Sequence, residues 1–185
     1  MKYFKQVIGK KCYLSPSDPE DAEKYCEWVN DLSITMHLEP TMSISVEAEK
    51  NIIRKLQAKH RIFSIIDLYT DELIGSCGLH DIDNVNGLAM FGIFIGRKDH
   101  WNKGYGKEAT SLCLDFGFNV LNLHNIYLMV IDYNPRAIKC YEKVGFKTIG
   151  KRREARCFGG KRHDVIMMDI LASEFESPYI NGLLE

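Results

Sequence analysis

Midway along the chain a strongly apolar run, residues 88–95, gives way to Arg97-Lys98-Asp99-His100-Trp101-Asn102-Lys103-Gly104-Tyr105-Gly106-Lys107. An amphipathic run follows, with Ala109, Leu112, Cys113, Phe116 and Val120 on one helical face. A buried strand that feeds a helix through a glycine loop calls for a sheet with helices packed on it. The flanking periodicity agrees. Asp18, Pro19, Glu20 and Asp21 form a helix start of cap, first-turn proline and first-turn acids, followed by Ala22, Tyr25, Cys26 and Val29 at helical spacing. A second helix opens near Ser45, with Ile52, Ile53 and Leu56 facing inward.

Residues 10–14 read as a short strand, and 61–68, 73–79 and 88–95 as an antiparallel meander, with 81–87 a polar turn. Beyond the central helix, 126–131 is a strand. Asn134-Pro135 caps and opens a short helix that Gly145 ends, and 146–149 and 164–171 are the last strands. The order β-α-α-β-β-β-α-β-α-β-β predicts a single α+β domain over residues 1–185, with a mixed sheet of about seven strands and about four helices.

Composition narrows the function. The 185 residues are 45% apolar and 26% charged, enough for one buried core and too apolar for disorder. Twenty-four basic against 25 acidic side chains argue against a nucleic-acid partner. No apolar run approaches the ~20 residues of a membrane helix, and Met1 to Gln6 lack the apolar segment of a secretory signal. A cytoplasmic location without a membrane partner is therefore expected. Cys12, Cys26, Cys77, Cys113, Cys140 and Cys157 show no C-x-x-C spacing, so they read as small core residues and no metal is expected. Assembly into homo-oligomers stays open.

The loop from Lys103 to Lys107 presents backbone N–H groups at the positive end of a helix, with glycines that allow close approach and two lysines beside it. It is either a pyrophosphate seat or a plain turn. Gly104 to Ala109 also satisfies the dinucleotide fingerprint G-x-G-x-x-A, with Asp132 where a ribose-binding acid would fall. In that fold the glycines follow the strand directly, whereas here eight residues separate Ile95 from Gly104, and an antiparallel meander precedes them.

Asn134-Pro135-Arg136-Ala137-Ile138-Lys139-Cys140-Tyr141-Glu142-Lys143-Val144-Gly145-Phe146, taken with Trp101-Asn102-Lys103-Gly104-Tyr105-Gly106, resembles the acetyl-CoA-binding signature of the GNAT N-acetyltransferases. The element order from Lys10 to Leu171 is similar to that fold. Residues 121–128 and 159–164 resemble the branch of spermidine and ribosomal-protein N-terminal acetyltransferases.

The resemblance implies a splayed parallel pair formed by residues 88–95 and 126–131, with the pantetheine arm of acetyl-CoA along Ile93, Phe94 and Ile95. It implies the pyrophosphate on Asn102, Lys103, Gly104, Tyr105, Gly106 and Lys107, with further cofactor contacts from Asn134 and Lys143. Tyr141 matches the family's general acid, and no metal is implied. Trp101 stands where the family usually has Arg or Gln, which removes a polar group from the loop.

The implied reaction is direct attack of a neutral amine on the thioester in a ternary complex, and a phenol suits protonation of the leaving thiolate. The amine must first lose a proton. Glu39, which resembles an acceptor-site acid of the spermidine enzymes, His80, Asp81 and His163 are the candidates, and none is assigned. The acceptor is a small amine or a peptide amine: a polyamine, a protein N-terminus or an amino sugar. The basic stretch 151–156 is a solvated strand face unless it borders the cleft, where it would favour an anionic acceptor or hold phosphates. The alternatives are a non-catalytic acyl-CoA-binding module and a dinucleotide-binding protein using Gly104 and Gly106.

Overall fold

A computed structural model describes residues 2–38, 43–177 and 179–180. The strands are β1 (Val7–Ile8), β2 (Cys12–Pro16), β3 (Arg61–Asp67), β4 (Leu73–Asp83), β5 (Leu88–Ile95), β6 (Asn125–Ile131), β7 (Lys147–Phe158) and β8 (Lys161–Leu171). The helices are α1 (Ala22–Val29), α2 (Leu32–Thr35), α3 (Val46–Lys59), α4 (Tyr105–Asn119) and α5 (Pro135–Glu142). All eight strands form one sheet in the order β1-β2-β3-β4-β5-β6-β8-β7, antiparallel except where β5 meets β6. That topology is not a doubly wound parallel sheet, so the dinucleotide alternative loses its structural basis.

A core lies on each face of the sheet. On one face, Leu14, Ile65, Ile74 and Leu79 meet Leu112 and Phe116 of α4 and Ile126, Met168 and Ile170. On the other, Tyr13 and Ile66 meet Tyr25 and Trp28 of α1 and Ile53 of α3. The alternation of Cys12 and Leu14 with Tyr13 between the two cores is the period of a strand covered on both sides.

The structure departs from the sequence expectation at five places. The sheet has eight strands, because β1 is only two residues long and too short to show a period. The single turn α2 had no counterpart in the expected elements; Asp31 caps it, accepting from Ser33 N at 2.9 Å. The strand β4 runs on to Asp83 through a register shift after His80, where a turn was expected. The strand β7 spans 12 residues rather than four, and its mostly exposed, charged sequence hides an edge strand from any hydrophobic period. Val120 falls outside α4 and is exposed, whereas α4 is buried almost all round from Ala109 to Phe118. Its outer side is covered by the C-terminal segment, held where Asp115 accepts from Ser177 Oγ at 2.6 Å, Tyr179 N at 2.9 Å and Ile180 N at 3.1 Å.

Candidate active site

The strands β5 and β6 pair only at Leu88–Asn125, Ala89–Ile126 and Met90–Tyr127. Beyond Met90, β5 stays with β4 as far as Ile95, and β6 stays with β8 as far as Ile131. The two strands therefore splay, and a cleft of about 1120 Å³ opens between them. Gly96 N donates to Ile74 O, so strand alternation turns the main chain of Phe94 toward β4 and that of Ile93 and Ile95 toward the splay. Phe94 also packs its ring on Tyr25 and Trp28, on the far face. The Ile95 carbonyl accepts the Trp101 indole N–H at 2.8 Å. Of the three positions expected along the strand, Ile93 keeps its whole main chain open and Ile95 its N–H.

The glycine loop enters the cleft where α4 begins. Gly104 takes φ 90°, a left-handed conformation that favours glycine, and no side chain caps the helix. The first-turn N–H groups of Tyr105, Gly106 and Lys107 thus have no acceptor among the described residues. The rear of this turn is fixed. The Glu108 carboxylate accepts from Lys10 N, Lys11 N and Cys12 N at 3.0, 2.7 and 2.9 Å.

The Tyr105 hydroxyl donates to Asp67 Oδ2 at 2.6 Å, and that bond pushes its pKa up to about 12. Burial pushes the Asp67 carboxyl up, but bonds from Tyr105, the N–H groups of Thr70 and Tyr69, and His100 outweigh it and hold the group at about 2. The Tyr105 side chain is therefore a rear anchor and does not line the cleft. Lys103 is exposed and outside the lining, whereas Asn102, Gly104, Gly106 and Lys107 belong to it.

The opposite wall is α5. Its Asn134 accepts from Ala137 N at 3.2 Å as the cap, with Pro135 in the first turn. Tyr141 stands two turns along, packed edge-on against Phe91 and Phe146 at centroid distances of 6.4 and 5.8 Å. Its hydroxyl has no partner among the described residues and lines the cleft, and burial raises its pKa further, so the phenol is protonated at neutral pH. Lys143 lines the cleft as well.

Trp101 changes the loop in a way its position alone did not reveal. The Arg136 guanidinium stacks over its ring at 4.0 Å from the centroid, so the indole brings a cation to the site instead of removing one. Burial pushes the Cys140 thiol up against the opposing pull of Lys107, Lys143 and Arg136, and all three cations line the cleft.

The candidates for proton acceptor separate. Glu39 lies outside the described residues. His80 lines the cleft, and its ring lies 5.3 Å from that of His60. Asp81 is exposed at the β4 irregularity, and His163 faces Asp132 at 3.3 Å; neither lines the cleft. His37 was missed. It stands just after α2, lines the cleft, and leaves a buried Nδ1 without a partner among the described residues. Burial, helped by Arg136, pulls its pKa down, which keeps the imidazole neutral. No local pattern marks such a histidine, because its surroundings come from distant segments.

A family model described as an acetyltransferase (GNAT) domain matches residues 11–147. The uncharacterized N-acetyltransferase p20 of Bacillus licheniformis is 34% identical over 174 residues, which cover 91% of this chain and 97% of that protein. A spermidine N(1)-acetyltransferase of Vibrio cholerae is 38% identical over 103 residues, 56% of this chain and 59% of its own length. The solved structure of a spermidine N-acetyltransferase from Vibrio cholerae in complex with CoA and spermine superimposes with a TM-score of 0.83 at 28% identity, covering 90% of this chain and 98% of that one.

Proposed function

This chain belongs to the acetyltransferase (GNAT) family, and on that premise we propose that it joins an acetyl group from acetyl-CoA to a primary amine by direct attack within one cleft. Acetyl-CoA supplies the activated thioester. Its pyrophosphate suits the open N–H groups of Tyr105, Gly106 and Lys107, with Lys107, Lys143 and Arg136 as counter-charges. Asn102 and Gly104 shape the approach, and Ile93 offers main-chain partners to the pantetheine arm, with Asn134 across from it. The observation that carries this reading is the bare amino end of α4 opening into the same cleft as the unpaired Tyr141 hydroxyl.

In the reaction His37, whose imidazole burial keeps neutral, or His80 takes the proton of the acceptor ammonium. The amine nitrogen bonds to the acetyl carbon, the carbon–sulfur bond breaks, and the Tyr141 hydroxyl gives its proton to the departing sulfur. The acceptors to compare are a polyamine, as the names of two relatives suggest, a protein N-terminus and an amino sugar.

Acetyl-CoA turnover, read as free thiol against a panel of these amines, tests the reaction. Calorimetry with acetyl-CoA and NADH tests the site. Amine-dependent thiol release with no NADH binding is the expected result. Acetyl-CoA binding without turnover on any amine would leave only a binding module, and NADH binding in its place would overturn the reading.

A further inference from the structure

The far end of the cleft from the glycine loop is built by Leu38, just after α2, and by the β7–β8 hairpin. The basic stretch 151–156 is divided there. Lys151 is drawn off to Asp164 at 2.7 Å, and Arg153 stays outside the lining, while Arg152 and Arg156 line the cleft together with Arg162 of β8.

A bulge produces this division. Arg152 faces Val165 and Arg156 faces His163, so β7 takes four steps where β8 takes two. Within the bulge Glu154 adopts φ 52° and its N–H donates to Asp164 Oδ1 at 2.9 Å. The extra residues let Arg156 reach inward. It is only 9% exposed, its Nη2 donates to Leu38 O at 2.8 Å, and its Nε is buried with no partner among the described residues.

A buried guanidinium normally has a carboxylate or phosphate against it, because an uncompensated charge in a desolvated site is costly. Among the described residues Arg156 has no acidic partner, and the cleft lining contains no Asp or Glu. Glu39 follows Leu38 in the chain, and a single carboxylate against three guanidinium groups still leaves this end positive. A polycation would meet repulsion here, whereas an anion would be steered in and could take the two-pronged bonding that arginine offers.

From this geometry we infer that the acceptor carries, besides its primary amine, an anionic group, a carboxylate or a phosphate, that bonds to Arg156 with Arg152 and Arg162 alongside. The inference rests on the acetyltransferase reading of the same cleft and names the substrate class within it.

The test compares matched amines at saturating acetyl-CoA. 4-Aminobutanoate is set against 1,4-diaminobutane for the carboxylate source, and glucosamine 6-phosphate against glucosamine for the phosphate source, with spermidine as the polycation. At least one anionic member is expected to exceed its partner and spermidine by about 10-fold or more in kcat/KM. Arg156→Gln should erase that preference through KM, with the calorimetric affinity for acetyl-CoA unchanged, which also shows that the variant is folded. Arg156→Lys should restore part of the preference.

Turnover that favours spermidine, or the cationic and neutral members of both pairs, overturns the inference and leaves the acetyltransferase reading standing. So does an anion preference that survives Arg156→Gln. Absence of acetyl-CoA binding to the native protein would overturn both.

Discussion

The helices α4 and α5 both begin at the cleft, one with a bare amino end and the other with a capped one. Among the described residues the first N–H groups of α4 have no side-chain acceptor, while Asn134 closes the start of α5 by accepting from Ala137 N. The difference extends behind the helices. The first turn of α4 is tied down from the rear, where Glu108 accepts three backbone N–H groups and Asp67 accepts the Tyr105 hydroxyl. A bare helix end so anchored is ready for an anion at little ordering cost. The end of α5 is occupied by its own cap, so this helix offers its flank, where Tyr141 stands. Under the proposed function, affinity for acetyl-CoA belongs to the end of α4 and the rate of acetyl transfer to the side of α5.

The largest effect expected is on affinity. Gly106 is the better target in the glycine loop, because its φ is ordinary and a Cβ there would meet nothing nearer than Ile95 Cγ1 at 3.9 Å. Gly104 would instead impose backbone strain on any replacement. Gly106→Val should keep the fold and fill the approach to the bare N–H groups, weakening acetyl-CoA binding on the order of 100-fold or more. Native affinity in a calorimetric titration would remove the anion site from α4.

On the other helix, Tyr141→Phe should lower kcat by about 100-fold, the lower end for a general acid because a thiolate leaves readily. Acetyl-CoA affinity should hold, since the proton is given only as the sulfur departs. If kcat survives while Tyr141→Ala unfolds the protein, Tyr141 is a packing residue and the division of labour fails.

The rear anchor of α4 has a pH signature. The folded-state pKa of Asp67 is depressed to about 2, so its contribution is complete above the ordinary carboxylate value and is lost as pH falls through about 4 to 2. That loss amounts to about 2 kcal/mol. Asp67→Asn should flatten this part of the acid limb in urea unfolding and loosen the start of α4, weakening acetyl-CoA several-fold. An unchanged acid limb would show that the anchor contributes nothing.

The smallest effect belongs to the α5 cap. Asn134→Ala should cost about 1 kcal/mol in thermal or urea unfolding. Asn134→Asp keeps a capping oxygen but loses the amide donor. Native stability with weaker acetyl-CoA binding would separate the two roles, and normal binding in Asn134→Asp would leave Asn134 a cap alone.

Much of this contrast was visible before any coordinates. Asn134-Pro135 announces a capped helix, and glycines ahead of an amphipathic run announce an uncapped one, because both are set by residues within a turn of one another. The same locality made α1, α3 and the three meander strands legible. What escaped were short or charged elements, β1, α2 and most of β7, in which too few apolar residues recur to show a period. The direction of the Tyr105 side chain was hidden for a related reason. Its spacing places it in the loop, but its direction depends on Asp67, 38 positions away.

By itself, then, the sequence determined which of the longer apolar-patterned segments become helix or strand, where the two cleft helices start, and that a phenol rides on the second of them. Tertiary structure alone decided which groups meet in the cleft. Arg136 reaches Trp101 across the loop, His37 comes to lie beside the same cation, and Arg156 meets Leu38 across 118 positions. Caps and periods are enforced by neighbours along the chain, whereas the side-chain directions and pKa values at the cleft are imposed by groups that only the packed sheet brings within bonding distance.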